Sequence, residues 1–361
     1  MKEYPVIIAG GGPSGAACAK ALKEEGIEAL VIEKDKMPRH KICSGILFGQ
    51  TQVLLEKYFG TMPPEDVYCE PKTINASDIQ EWNKERGFFG YVWELPKDGV
   101  EFIKEYKNIW RNKFDRWLLR QSDAKVIENC QLKNFSVEGE KITVKVFHKE
   151  KSQVDKFDKE NQLEQLTCSY LVGADGGSSQ ARKILDPEWT KAEPEVIIFQ
   201  AYFRFENMGE LKDGSWNVFF KKEVGDMLCC VHRKGDFLTL CVGGFKGRNL
   251  NESMDIFKKF LIDEFKVVFG EQERVEGCVM KLAPPNLGKG NVLLTGEAAG
   301  IIYLNGEGIS AAIDSGYKAG KAIAAAIKGN KAVADIYPVM IKDILDHMNV
   351  CMEKIHFLTA K

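Results

Sequence analysis

Glu297 and Glu307 each stand beside glycines in the stretch TGEAAGIIYLNGEGIS, residues 295–310. Glycine lets backbone approach a ligand closely and takes positive φ. A carboxylate there can accept hydrogen bonds from a polyol, or it can be a solvated loop charge. Near the other end, Gly10-Gly11-Gly12-Pro13-Ser14-Gly15 gives the spacing G-x-G-x-x-G between an apolar run, Tyr4 to Ala9, and a helical pattern from Pro13. Such a turn brings backbone N–H groups to a pyrophosphate and leaves the anion at a helix N-terminus. Glu33 ends the next apolar run, 18 residues past Gly15, where a carboxylate can accept both hydroxyls of a ribose. The segment Pro38-Arg39-His40-Lys41-Ile42-Cys43-Ser44-Gly45 adds a thiol close to cations. A thiol in that setting can exchange a proton with a substrate, or it can be one more buried cysteine. His40 reads as a solvated loop histidine.

The elements that must position these residues follow from periodicity and turn chemistry. Tyr4 to Ala9 predicts a buried strand, Pro13 to Glu25 a helix stopped by Gly26, and Ile27 to Ile32 a second strand, which completes a βαβ start. Lys107 to Gln121 reads as a helix, and strands alternate with turns from Lys125 to Phe147. The charged segment 148–162 reads as a solvated loop or ribbon tip. Runs at 196–205, 215–220, 226–232 and 237–245 predict an antiparallel sheet, with Lys234-Gly235-Asp236 as a hairpin turn. Helical patterns close the chain from about Gly308 to Lys328 and from Ala332 toward Phe357.

Composition bounds the function. The 361 residues are 44% hydrophobic and 28% charged, an ordinary globular balance with room for two domains. A net charge of −2 without a Lys/Arg run argues against a nucleic-acid partner. Ten cysteines without any C-x-x-C argue against a zinc or iron–sulfur site, so no metal is expected. No apolar stretch reaches transmembrane length, and the first strand begins within a few residues of Met1. The expectation is therefore a cytoplasmic protein without a signal peptide.

Gly173-Ala174-Asp175-Gly176-Gly177-Ser178-Ser179-Gln180-Ala181-Arg182 follows another strand, Tyr170-Leu171-Val172. This G-A-D-G-x-x-S-x-x-R pattern resembles the second fingerprint of flavoprotein monooxygenases of the hydroxybenzoate-hydroxylase fold, a group that includes geranylgeranyl reductases and flavin-dependent halogenases. Arg111-Asn112-Lys113-Phe114-Asp115-Arg116-Trp117-Leu118 is similar to the family's R-x-x-F-D-x-x-L helix, whose arginine approaches the flavin side of the cofactor. Gly296-Glu297-Ala298-Ala299-Gly300 and Gly306-Glu307-Gly308-Ile309 resemble its G-D-A-A-G and G-E-G-I segments. Here Glu297, one methylene longer, replaces the aspartate that binds the ribityl chain. The loop between the two segments is about one residue short and lacks the frequent proline. Glu307 and the following helix N-terminus are then expected near the flavin's pyrimidine end. Lys41-Ile42-Cys43 resembles the K-x-C-G segment of the geranylgeranyl-reductase branch, which sets a cysteine beside the isoalloxazine; Ser44 stands where glycine is usual.

The resemblance implies FAD, held by Gly10, Gly12, Pro13, Ser14, Gly15, Glu33, Lys34, Arg39, Lys41, Arg111, Val126, Asp175, Gly176, Gly296, Glu297, Gly306, Glu307, Gly308 and Ile309, with Cys43 as the candidate catalytic residue. It implies an α/β fold: a Rossmann-like FAD-binding domain of the glutathione-reductase type, an antiparallel β-sheet substrate domain and C-terminal helices. The expected division is 1–75, 100–185 and 280–330 for FAD, 76–99 and 190–280 for substrate, and 331–361 as a C-terminal helical segment. Phe203, Phe205, Trp216, Phe219 and Phe220 are candidate lining for an apolar or aromatic substrate, although strand alternation also makes half of them core.

The leading function is reduction of C=C bonds of an apolar, prenyl-type substrate by hydride from reduced flavin. The alternatives are an aromatic monooxygenase and, from another class, a non-catalytic lipid-binding escort protein like the Rab GDP-dissociation inhibitors that share the fold. Intact Gly10, Gly12, Gly15, Glu33 and Asp175 argue against the escort. Tyr91-Val92-Trp93-Glu94-Leu95-Pro96 echoes the Y-x-W-x-F-P motif of archaeal reductases, but it precedes Asp175 instead of following it. Residues 215–221, in the expected place, keep only a Phe and the Lys, so the substrate stays open. No second G-x-G-x-x-G offers a nicotinamide site, since Val242 to Gly247 reads as a turn. The electron donor is left among NAD(P)H, a ferredoxin and another flavoprotein.

Overall fold

The computed structural model describes residues 2–75, 79–83, 87–90, 105–149, 163–191, 195–219, 221–227, 229–281, 283–303 and 307–359, with backbone alone at 75, 79–83, 87–90, 190 and 351–359. Tyr91 to Pro96, Phe220 and Gly306 lie outside the described residues.

The chain opens with β1 (Lys2–Ala9), α1 (Pro13–Glu24) and β2 (Ala29–Ile32), then β3 (Ile46–Leu47), α2 (Gly49–Phe59), β4 (Tyr68–Asn75), β5 (Ile79–Asn83), β6 (Gly87–Gly90) and β7 (Glu105–Ile109). It continues through α3 (Arg111–Gln121), β8 (Lys125–Ile127), β9 (Cys130–Glu138), β10 (Lys141–His148), β11 (Leu163–Gly173) and α4 (Gln180–Leu185). Next come β12 (Glu195–Asn207), β13 (Trp216–Phe219), β14 (Cys229–Lys234), β15 (Phe237–Phe245), α5 (Leu250–Phe265) and β16 (Val268–Lys281). The chain closes with β17 (Gly288–Lys289), β18 (Val292–Leu294), α6 (Ile309–Gly329), α7 (Val333–Met340) and α8 (Lys342–Thr359).

β1 is buried on both faces from Val6 to Ala9, the continuous apolar pattern of a parallel strand. It pairs in parallel with β2 and β11, which extend the sheet to β8 and β18, and the antiparallel ribbon of β9 and β10 continues from β11. Helices α1 and α6 pack together against this sheet, where Gly316 and Gly320 let α6 approach the α1 backbone. A second sheet runs β16-β12-β15-β14-β13-β5-β6, antiparallel except where β5 meets β13. The result is the mixed α/β architecture with C-terminal helices that the sequence implies.

The structure corrects several sequence expectations. Lys107 is not helical: β7 occupies Glu105–Ile109, because Tyr106, Asn108 and Ile109 are buried in pairing with β3 and β4, and α3 starts only at Arg111. The final helical pattern is two helices broken at Ile341, with Pro338 weakening the first. Gly243 and Gly244 lie inside β15 rather than in a turn. The elements that were not foreseen include α2, β3, β4, α4, α5 and the edge strand β16. α5 starts where the Asn249 side chain accepts the Glu252 N–H. It covers one face of the second sheet, where Phe219 meets Phe257, Phe260 and Phe265 at ring separations of 5.4–5.6 Å. Phe203 and Phe205 pack in the same cluster, and Trp216 packs edge-on against Phe48 at 5.7 Å. The described aromatics expected to line a substrate pocket are therefore folding core. Among the described residues no helix is long and apolar enough to cross a membrane.

Candidate functional site

The site is built outward from the turn between β1 and α1. A Cβ on Gly15 would fall under 3.0 Å from the Gly10 carbonyl, and one on Gly10 (φ +110°) under 3.0 Å from Ala174 O. Each glycine thus allows backbone to touch backbone, and the first fingerprint is seated directly on the second. No side chain caps α1, whose N-cap is Gly12 and whose first turn contains Pro13. That turn accordingly keeps N–H donors for an anion. Glu33, 3% exposed, accepts the Gly11 N–H at 2.8 Å and the Asp35 N–H at 3.1 Å. Val126 is half-buried in register with Val31, one strand over, and Lys34 is exposed.

The TGEAAG stretch comes to the same turn. Ser14 Oγ donates to Thr295 Oγ1 at 3.0 Å, and Thr295 Oγ1 and the Gly296 N–H both donate to Ser315 Oγ on α6 at 3.0 Å. Asp175 Oδ2 accepts the Gln180 and Ala181 N–H groups at 2.7 and 3.2 Å, which caps α4. Its Oδ1 is buried and has no hydrogen-bond partner among the described residues. The Glu297 carboxylate reaches over this motif: its Oε2 is 4.0 Å from where a Cβ on Gly176 would lie, and its Oε1 is 2.6 Å from the same position on Gly177. Arg182 had only been a letter of the motif. Buried and stacked on Trp189 at 4.1 Å, it donates to Glu297 O at 3.0 Å, Ala298 O at 2.6 Å and Gly177 O, and so ties the loop of Glu297 to the second fingerprint.

Glu307 is committed within the protein. Its carboxylate accepts the Ser310 N–H at 2.8 Å and Thr51 Oγ1 at 3.2 Å, and it also bonds Ser310 Oγ. It caps α6, whose N-cap is Gly308 and whose first residue, Ile309, is buried. The carboxylate thus caps the helix N-terminus that is expected from the sequence near the flavin's pyrimidine end.

The loop from Arg39 to Gly45 lies between the sheets. Arg39 pairs with Glu33 at 3.3 Å and with Asp115 at 3.2 Å, and Arg111 clasps Asp115 through two bonds of 2.9 and 3.1 Å. Burial works against the Arg111 charge, but Asp115 and the Cys43 thiol, which Arg111 also reaches, raise its pKa above the ordinary value. Lys41 pairs with Glu297 at 3.5 Å. Above Cys43, the second sheet turns Gln200, Tyr202, Cys278, His232 and Lys234 toward the loop; Gln200 Nε2 donates to Cys43 O at 3.3 Å and to Tyr202 Oη at 2.6 Å. Burial, then Glu276, pushes the Tyr202 hydroxyl up to about 12, and burial pushes the Cys278 thiol up to about 11. Both are neutral donors at neutral pH. His40, 46% exposed, bonds Glu276 at the rim. The roles of Asp115, Arg182, His232 and Lys234 were missed, although the i, i+4 spacing of Arg111 and Asp115 signals their pair.

A cradle that only glycine backbone fits, uncapped N–H donors, a ribose-height carboxylate and an orphaned Asp175 oxygen fit a dinucleotide. The comparisons agree. The sequence model of the FAD binding domain family matches residues 3–57 and 119–337. An uncharacterized protein of Methanosarcina barkeri, Mbar_A1602, is 25% identical over 339 residues, covering 91% of this chain and 76% of its own length. The crystal structure of a geranylgeranyl bacteriochlorophyll reductase-like protein from Thermoplasma acidophilum superposes with a TM-score of 0.73 at 17% identity, over 99% of this chain and 84% of that one. CmlS, a flavin-dependent halogenase, superposes with a TM-score of 0.69 at 12% identity, over 97% and 63%. The structural likenesses are of fold, and they agree with the resemblance to the hydroxybenzoate-hydroxylase group. Gly10, Gly15, Glu33 and Asp175 all fall within the matched segments, and the chain belongs to the FAD binding domain family of flavin-dependent oxidoreductases and monooxygenases.

Proposed function

We propose that the protein reduces a carbon–carbon double bond, with FAD as its redox cofactor and Cys43 as the proton donor. The observation that supports this reading is the seat of Cys43, whose thiol accepts the Gly45 N–H at 3.4 Å beside buried Arg111 and whose carbonyl accepts from Gln200 of β12. Bound FAD, once reduced, supplies the hydride. The chain does the rest. The free N–H groups of the first turn of α1 hold the pyrophosphate, Glu33 the ribose hydroxyls, and Glu297 the ribityl chain in place of the family's aspartate. Residues 1–75, 100–185 and 280–330 make up the FAD part; 76–99 and 190–280 make up the substrate part, followed by a C-terminal helical segment at 331–361. Cys43 gives its proton to the alkene carbon that does not receive hydride. The prenyl-type substrate rests on the K-x-C and G-E-G-I resemblances, since the described candidate aromatics are core. A reductant among NAD(P)H, ferredoxin and another flavoprotein completes the cycle.

Glu33→Ala is expected to weaken FAD binding by roughly tenfold or more, because a buried carboxylate accepting hydroxyls is a charge-assisted partner. Unchanged affinity in a flavin-fluorescence titration removes the ribose assignment.

The reaction is tested on holoprotein reduced anaerobically with dithionite and freed of excess. One portion receives prenyl and other activated alkenes, and the other dioxygen with candidate aromatic compounds. Rapid return of oxidised-flavin absorbance with an alkene, together with a saturated product, is the expected result. Indifference to alkenes, with a hydroxylated product under oxygen, assigns the monooxygenase reading instead. Cys43→Ala is expected to slow alkene turnover by about a hundredfold or more, the usual scale of a lost general acid. Full turnover in that variant takes Cys43 out of the reaction.

A further inference from the structure

Three consecutive carbonyls around Cys43 are each held from a different direction. Gln200 Nε2 on β12 donates to Cys43 O at 3.3 Å. On β14, His232 Nε2 and Lys234 Nζ both donate to Ser44 O, at 3.2 and 2.8 Å. Gly45 O accepts the Ile109 N–H at 2.8 Å, and Lys234 closes the circuit by donating to Ile109 O at 2.6 Å and to Asn108 Oδ1 at 3.4 Å. Residue 45 must be glycine for this, since φ is +73° and a Cβ would fall under 3.0 Å from both Ile109 O and Lys234 Nζ.

Lys234 is 2% exposed, and the acceptors it meets in this circuit are two carbonyls and an amide oxygen rather than a carboxylate. Burying an ammonium without a counter-ion is unfavourable, and burial lowers its pKa accordingly. A methionine would fill the same length without that cost. The ammonium is therefore spent where it does something a methyl group cannot, on the Ser44 and Ile109 carbonyls that it ties together, with the Trp110 ring 5.1 Å away. His232 is likewise buried; burial, then Lys234, lowers its pKa to about 3. At neutral pH it is a neutral imidazole whose Nε2 proton, assigned from the acceptor it faces, points at Ser44 O.

We infer that His232 and Lys234 are positioning residues for Cys43: by fixing the Ser44 carbonyl, they hold the thiol where it meets the Gly45 N–H at 3.4 Å. The inference rests on the proposed role of Cys43 only for its effect on turnover, and the positioning is measurable without a substrate.

The test is native-state alkylation of FAD-loaded protein with iodoacetamide. The Cys43 peptide is followed by mass spectrometry, and flavin absorbance is read in the same sample. His232→Leu keeps bulk but loses the donor, and it is expected to raise the Cys43 alkylation rate about tenfold through local opening, with FAD content unchanged. His232→Gln keeps an N–H donor and is expected to return the rate to within about twofold of wild type. Equal rates in His232→Leu and wild type overturn the inference, as does failure of His232→Gln to restore what His232→Leu loses. Should His232→Leu not hold FAD, hydrogen exchange on the wild-type holoprotein reads the same clamp. Amides of 43–47 exchanging as slowly as those of β14 support it, and exchange at the rate of exposed loops overturns it. Failure of the proton-donor reading shows itself separately, as full turnover in Cys43→Ala while the wild-type and His232 variants keep the alkylation differences expected above.

Discussion

Gly15→Val yields a protein that no longer retains FAD through gel filtration. The first atom of any side chain at Gly15 would fall under 3.0 Å from the Gly10 carbonyl oxygen, and a clash with backbone cannot be relieved by turning a rotamer. The turn must open, and it has nowhere to go, because Gly10 is itself pressed against Ala174 O of the second fingerprint and Gly316 of α6 against Ser14 O. Movement of the N–H groups away from the pyrophosphate is expected to weaken FAD binding by at least a hundredfold, about 3 kcal/mol. Gly139 is the control. It has φ +61° in the β9–β10 turn with nothing within 4 Å of its Cβ position. Gly139→Ala is expected to cost about 1 kcal/mol of stability for its backbone conformation and to leave FAD affinity unchanged. Fluorescence titration of both apo-proteins separates a lost cradle from a general loss of folding. If Gly15→Val binds FAD with wild-type affinity, this turn is not the cofactor's seat.

What the sequence discloses of this site is what local chemistry carries. Gly10, Gly15, Glu33 and Asp175 act within a turn or at a strand end, so their spacing already contains their geometry. The antiparallel hairpin of β14 and β15 was legible for the same reason, from Gly235-Asp236 between two apolar runs. Long-range pairing was not legible. Residues 105–109 carry helix-compatible residues yet form a strand, because Tyr106 and Ile109 gain burial against β3 and β4. β16 hides behind Glu271, Glu273, Arg274 and Glu276, since an edge strand needs apolar residues on only part of its surface. Lys234 read as the start of a turn, and nothing near it in sequence announces Ser44, 190 residues away. Phe203 and Phe219 read equally as pocket lining or core, and it took α5, absent from the sequence reading, to decide for core.

Asp115→Leu is the second large effect, and it falls on stability before it falls on chemistry. Asp115 is 0% exposed and stands between two arginines, clasped twice by Arg111 on its own helix and once by Arg39, which also pairs with Glu33. Removing the carboxylate takes from buried Arg111 the anion that clasps its guanidinium twice. A buried charge stripped of its partner costs about 3–5 kcal/mol, far more than the pair contributes relative to apolar packing. The exposed pair Lys259–Asp263 has the same i, i+4 spacing with side chains 75% and 51% exposed, and Asp263→Ala is expected to cost under about 0.5 kcal/mol. Burial, not the ion pair as such, sets the difference between the two variants. Arg39, released from Asp115, keeps only Glu33 as a described carboxylate partner and draws it away from a ribose, so the FAD affinity of Asp115→Leu is expected to fall by about tenfold. Denaturant unfolding of the apo-proteins gives the first quantity and flavin titration the second. A loss of stability below about 1 kcal/mol means that Arg111 finds another anion, and the chain from Glu33 through Arg39 and Asp115 to Arg111 is then not what anchors the Cys43 loop to the nucleotide cradle.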